Sequence, residues 1–406
     1  MILNFILKDM FEKKNKKKVI MKIFILINLF CFNSNNFYII NNFLKRIKKQ
    51  NEKYKFESFL KLCFNSNKKF KNFKKKKNPK ISIISPIYNR EKFLIRFFKN
   101  LQNQNFKDIE IIFIDDFSKD NSVYLIEEFQ KKDKRIILIK NKKKKGTFVI
   151  RNIGILLSKG KYLFIPDPDD NLSKDILNIC YKLAKKFNYD IIRFNIYLKN
   201  GKLMFDEFVN DIENGPIYQP ALSNYIFYGS KELRLIDFYI YNKIIKKEVF
   251  IKALNALDKY YLNIYMIFYE DSLLNYFVHL ESKSLYFLKK IGYYHRLNTE
   301  SITRNDFKVN ESKLKFFFIF LKFVFEYSKN TQNYKEALNA ILCYSTINKF
   351  NIKNILSKLN FSEDFYFYEN LSKAFINSSF IDNVNKNIFL NIKEIIDRIK
   401  SFKRTY

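Results

Sequence analysis

Apolar residues recur along the middle of the chain in short, near-continuous runs that alternate with helix-period stretches. The runs are ISII (81–84), IEIIFI (109–114), RIILI (135–139), KYLFI (161–165) and DIIRF (190–194). Between the first two, Phe93, Leu94, Phe97, Phe98 and Leu101 share one helical face. Val123, Ile126 and Phe129 predict a second helix, and Ile150, Ile153 and Leu157 a third. A fourth should open near Ser173 and bury Ile176, Leu177, Cys180, Leu183, Ala184 and Phe187. Strands that are apolar throughout, separated by amphipathic helices, predict a mostly parallel α/β sheet covered on both faces, with 190–194 closing the series.

Past Gly201 the pattern is less regular. It predicts helices over 234–257 and 263–280, a strand at SLYFL (284–288), then the aromatic run IGYYHR. From Asn310 onward the chain reads as helical. Its densest apolar run, 316–325, is too short to cross a bilayer and reads as a buried helix. Before Lys80, five lysines between Lys13 and Lys18 precede an apolar stretch, 19–32, that is also shorter than a span. That order suits an anchor or signal, or an amphipathic helix on the body or on an anionic membrane surface. Residues 65–80 read as a basic linker. The expected organisation is a basic N-terminal segment (1–79), a central domain (80–305) and a helical C-terminal region (306–406). Location stays open between cytoplasm with membrane association and anchorage through 19–32.

Composition narrows the chemistry. Hydrophobic residues make up 47% of the 406, which excludes wholesale disorder. Four dispersed cysteines and two histidines exclude a disulfide framework and a thiol- or His-rich metal centre. The formal charge of +35 carries less information than its size suggests. Residues 1–80 hold 22 of the 75 Lys and Arg but 4 of the 40 Asp and Glu. The excess is Lys in a chain also rich in Asn, Ile, Phe and Tyr, the bias of an AT-rich coding sequence. Nucleic acid is therefore not the expected partner, although a basic surface attracts phosphates without preference.

In an open α/β sheet ligands bind beyond the carboxyl ends of the strands. There this sequence has Ser85-Pro86-Ile87-Tyr88-Asn89, Asp115-Asp116-Phe117-Ser118, Gly146 with Arg151-Asn152 and Gly154, and Asp167-Pro168-Asp169-Asp170. Each acid alone would ordinarily be a cap. Together, five carboxylates on neighbouring strand ends repel one another unless positive charge sits among them. A hard divalent cation, completed by phosphate and water, is the expected occupant.

With these motifs in order, the stretch from 81 to about 200 resembles the family 2 glycosyltransferases, which have the GT-A fold. The later Y-N-K-I-I-K-K-E-V-F (241–250), E-D-S-L (270–273) and Y-Y-H-R-x5-S-I-T (293–303) are similar to that family's acceptor half. The resemblance implies inverting transfer from a nucleoside-diphosphate sugar, a UDP-sugar by preference, to a glycan or lipid-linked acceptor hydroxyl with Mg²⁺ or Mn²⁺. It implies a donor-binding half at 80–200 and an acceptor half at 201–305. Pro86 and Tyr88 would line the nucleoside pocket, Asp115 would bond the base and Asp116 would secure the same loop. Arg151 and Asn152 lie on the helix beside the donor, in contact with it or purely structural. Asp167 and Asp169 would hold ribose and metal, with Asp170 in support. Asp271 stands at the place of the base, with Glu270 beside it, and His295 either reaches metal or phosphate or is simply packed.

Rival readings lack their motifs. A dinucleotide enzyme needs G-x-G-x-x-G and a P-loop enzyme G-x4-G-K-[ST], and neither occurs. A nucleotidyltransferase would place a Gly-rich basic loop where SPIYN stands. A basic RNA- or lipid-binding protein without catalysis would bind by charge alone and survive loss of the acids.

Overall fold

The computed structural model describes residues 78–198, 203–204, 215–219, 239–257, 262, 264–296 and 320. The expected anchor helix at 19–32, the basic linker up to residue 77, the helical pattern at 234–238, the S-I-T at 301–303 and the C-terminal helices apart from Phe320 lie outside them. The described part is a ten-stranded mixed sheet flanked by helices.

Strand β1 (Ile81–Ile87), β2 (Ile109–Asp115), β3 (Ile136–Lys140) and β4 (Tyr162–Phe164) pair in parallel in the order β3-β2-β1-β4. Every residue of β1 and β2 is buried, as apolar runs covered on both faces require. Helix α1 (Glu91–Gln102) follows β1, α2 (Ser122–Lys132) follows β2 and α3 (Thr147–Leu157) follows β3. Leu94, Phe97, Phe98 and Leu101 of α1 are buried as their spacing predicts. Phe98 stacks on Phe129 of α2 at 4.1 Å between centroids, a contact worth about 0.5–1.5 kcal/mol beyond the area it buries.

Helix α3 sits unusually close to the sheet. A methyl group at Gly154 would lie 2.3 Å from Ile84 Cγ2 and 2.9 Å from Ile114 Cδ1. Gly154→Ala should therefore push α3 off β1 and β2 and cost about 1–3 kcal/mol in urea unfolding. A change below about 0.5 kcal/mol, the range of ordinary surface substitutions, would refute the close packing.

The structure departs from the sequence pattern at several places. The fifth apolar run forms β6 (Ile191–Leu198), but it does not lie beside β4. Strand β9 (Lys243–Lys246) fills the slot between them, antiparallel to both. That strand falls inside the segment predicted as one helix over 234–257, of which α5 (Lys247–Ala256) is helical. KIIK is four residues buried on both faces, so no alternation separates it from a helix turn. The helix predicted over 263–280 begins only at α6 (Glu270–Glu281), because Tyr269 takes a left-handed φ of 59° that α-helix cannot continue through. Helix α4 (Ile176–Phe187) starts three residues later than Ser173, and Asn188 ends it in the left-handed conformation. Phe187 is 49% exposed at that terminus instead of buried, and packs on Tyr189 at 5.5 Å.

The strand at 284–288 continues as β10 (Ser284–His295), parallel to β6. It carries the aromatic run to the sheet's far edge, where Tyr293 and Tyr294 pair with β5 (Asn171–Leu172) just after the D-P-D-D turn. Short β7 (Leu203–Met204) and β8 (Gly215–Tyr218) border β6 and β10.

Candidate functional site

The carboxyl ends of β1 and β2 are cross-tied. Asn89, just past β1, has φ 50°; its N–H donates to Ser118 Oγ at 3.0 Å, and its Oδ1 accepts from Lys119 N at 2.9 Å. Asp115 accepts from Phe117 N at 3.1 Å and Ser118 N at 3.2 Å; burial raises its pKa, and the bonds from Ser118 oppose that. Asp116 takes backbone N–H bonds from Lys145 at 2.7 Å and Gly146 at 2.8 Å, and accepts from Asn141 Nδ2 at 3.3 Å. This buried carboxylate thus fastens the lysine loop (142–145) to the sheet. Gly146 has φ 87° with the Met266 backbone 3.0 Å from where a Cβ would sit, so only glycine fits there. Pro86 is buried in β1, and Tyr88 is half-buried at its end with Lys144 Nζ 3.8 Å from its ring centroid.

A second group gathers around one guanidinium. Arg151, on α3 and 4% exposed, donates from one terminal nitrogen to Glu270 Oε1 at 3.0 Å and from the other to Asp167 Oδ1 at 3.3 Å. Asp167 follows β4, whereas Glu270 and Asp271 open α6, so residues over a hundred positions apart share one cation. Burial pushes Asp167 up to about 6 and Glu270 to about 7 against the pull of Arg151. Asp271 is also raised by burial, with Arg151 and the buried Lys243 on β9 opposing. Its Oδ1 accepts from Ser272 N at 2.8 Å. The side chain of Asp167 keeps 32% exposure against 10% for Glu270, so the group opens to solvent on the Asp167 side.

Asp170 is spent inward. Tyr293 Oη donates to its Oδ2 at 2.7 Å and Arg296 N to its Oδ1 at 2.8 Å, while burial and then Asp169 raise it to about 8. Tyr293 Oη also accepts from Asp167 N at 3.2 Å, and Arg96 of α1 donates to the Asp169 carbonyl at 2.6 Å. Both contacts pin the D-P-D-D turn. The expected gathering of five acids thus resolves into Asp115 and Asp116, which organise loops, and Asp167, Asp169 and Asp170, which are joined by Glu270 and Asp271. The positive charge bonded directly to two of them is Arg151, with Lys243 acting on Asp271 and Arg96 on Asp169 and Asp170.

No group of three or more His, Cys, Asp or Glu side chains is arranged for a metal among the described residues. Asp167 and Asp169 offer half-buried carboxylate oxygens two positions apart on the turn after β4. Such a pair fits a cation that takes one or two carboxylates and draws its other ligands from phosphate and water. His295 lies 6.2 Å from the Tyr241 ring at the end of β10. Asn152 is fully buried and donates to the Leu262 carbonyl at 3.4 Å, a contact that ties α3 to the chain before α6.

Sequence reasoning passed over Arg96, Tyr293 as the clasp of Asp170, and Lys243. Arg96 lies on a helix legible only by its apolar face, and Lys243 falls in a stretch whose pattern predicts a helix. Tyr293 was visible in Y-Y-H-R, but nothing in the spacing shows which tyrosine reaches Asp170.

Residues 82–254 match the family described as "Glycosyl transferase family 2". The glycosyltransferase GlyG of Streptococcus pneumoniae is 32% identical over 117 residues, 29% of this chain and 39% of that protein. The uncharacterized glycosyltransferase EpsJ of Bacillus subtilis is 27% identical over 230 residues, 57% of this chain and 64% of EpsJ. In both, the matched stretch is under two thirds of the relative's own length. A crystal structure of S. aureus TarS 1–349 in complex with UDP-GlcNAc superposes with a TM-score of 0.54 at 16% identity, covering 76% of this chain and 82% of that one. The fold is of the GT-A type that these glycosyltransferases share.

Proposed function

Residues 82–254 form a family 2 glycosyltransferase domain, and from that premise we propose that the protein is an inverting glycosyltransferase. It moves a sugar from a nucleoside-diphosphate donor to an acceptor hydroxyl of a glycan or glycolipid. The observation that carries this reading is the guanidinium of Arg151 held between Asp167 and Glu270, with Asp271 alongside. Asp167 of the D-x-D and Glu270 of the E-D pair are thereby brought together from different elements.

In this reading Pro86 and Tyr88 line the nucleoside pocket, and Asp115 bonds the base beside a loop that Asp116 secures. Asp167 and Asp169 hold the ribose and a Mg²⁺ or Mn²⁺ ion. The ion supplies charge neutralisation for the departing diphosphate without proton transfer. Asp170, locked by Tyr293 and Arg296, keeps the turn in register. Asp271 accepts the proton of the attacking hydroxyl on the face of the sugar opposite the leaving group. Burial favours a base of raised pKa, nearer the working pH than an exposed aspartate. Asn152 positions α3, and His295 packs at the end of β10. The UDP-GlcNAc held by the TarS neighbour is the reason to try UDP-sugars first.

The activity is assigned to 80–305, with the donor held by 80–200 and the acceptor by 201–305. The basic 1–79 segment and the 306–406 region flank it. Among the described residues no helix is long and apolar enough to cross a membrane.

A thermal-shift screen of nucleotide sugars with and without Mn²⁺ tests donor, ion and class together, since a ligand specific for the native state raises the Tm. Asp169→Ala should abolish Mn²⁺-dependent donor turnover with little change in unmetallated Tm. Chelation of wild type should have the same effect on turnover. A UDP-sugar turnover rate that Asp169→Ala leaves unchanged would overturn the assignment.

A further inference from the structure

The ammonium of Lys144 lies 3.8 Å from the centroid of the Tyr88 ring. Lys144 is exposed, and its loop is anchored immediately afterwards by the bonds from Lys145 N and Gly146 N to Asp116. The side chain can therefore rearrange while its backbone stays in place. An exposed cation over a half-buried tyrosine contributes only about 0.5–1 kcal/mol and is readily exchanged for a stronger partner. Arg90, two residues past Tyr88, lies close enough to Asp167 to lower its pKa, so this end of β1 and the D-P-D-D turn are neighbours. A diphosphate lying between the ring and that turn would give the ammonium a stronger, charge-assisted partner than the ring.

We infer that Lys144 is a donor-binding residue: its ammonium covers Tyr88 until a nucleobase takes that ring face, then pairs with the donor's diphosphate. This rests on the donor site proposed above. It also gives one lysine of the run 142–145 a task distinct from solvation.

Calorimetric titration of the full chain with uridine and with UDP separates the two halves of the inference. Lys144→Ala should weaken UDP about tenfold, the scale of one charge-assisted bond, and the loss should shrink at high salt. Uridine, which has no phosphate, should bind equally well or more tightly once the competing cation is gone. Lys143→Ala, on the same exposed loop, should change neither. Parallel losses for uridine and UDP would mean a collapsed loop, and no change in either would mean a solvated lysine; both results overturn the inference alone. Wild-type protein that binds neither ligand overturns the donor site and this inference with it.

Discussion

Arg151→Met should unfold about 3–5 kcal/mol more easily than wild type at pH 8 in the presence of a chelator. Removing one partner of a buried ion pair strands the others without compensation. Here the stranded groups are Glu270 and Asp167, each bonded to a guanidinium that is 4% exposed. The pH dependence follows from the direction of their shifts. Both carboxyls are already raised in the folded protein by burial, to about 7 and about 6, although Arg151 holds them down. Without Arg151 they rise further, and a carboxyl raised by folding costs stability as pH climbs past its unfolded value. The deficit of Arg151→Met should therefore be small near pH 5, where the stranded acids are protonated, and grow towards pH 8. Urea unfolding at the two pH values measures it. An equal deficit at both would mean that Arg151 acts by packing alone.

Asp271→Asn should lower kcat by about 10²–10⁴, the range for loss of a positioned general base, with little change in KM for the donor. Its stability should hold or rise. Asparagine keeps an oxygen for the Ser272 N–H and removes one negative charge from a crowded group. This makes it a sharper probe than Asp271→Ala, which also discards the helix-terminal bond. Transfer assays at saturating donor, paired with unfolding curves, separate catalysis from folding. A kcat within tenfold of wild type would remove Asp271 from the role of base and direct attention to Glu270, its neighbour on the same helical turn.

The motifs and the frame that presents them differ in how far the sequence exposes them. Strands β1 to β4 and the faces of α1 and α2 are local facts: each rests on apolar spacing within about a dozen residues. The D-D-F-S and D-P-D-D turns were legible for the same reason, as polar residues at the ends of apolar runs. Beyond Gly201, reading fails where a short element takes its identity from its neighbours. KIIK is a strand because β4 and β6 leave a gap of one strand between them. The start of α6 is set by the left-handed Tyr269, an aromatic residue that no propensity places there.

The acids themselves show the same division. Their number and their positions at strand ends follow from the sequence, and so does the need for positive charge among them. Which charge answers that need does not. Arg151 stands in sequence as one residue of G-x4-R-N-x-G, and it reaches Asp167 and Glu270 only because Gly154 lets α3 settle against Ile84 and Ile114. What the chain alone determined was the chemical inventory and the strand ends that carry it, since backbone periodicity is encoded over short distances. Only the tertiary structure decided which acid is bonded inward, which faces solvent and which shares a counter-ion. Those outcomes depend on contacts between segments about a hundred residues apart, and no local pattern records them.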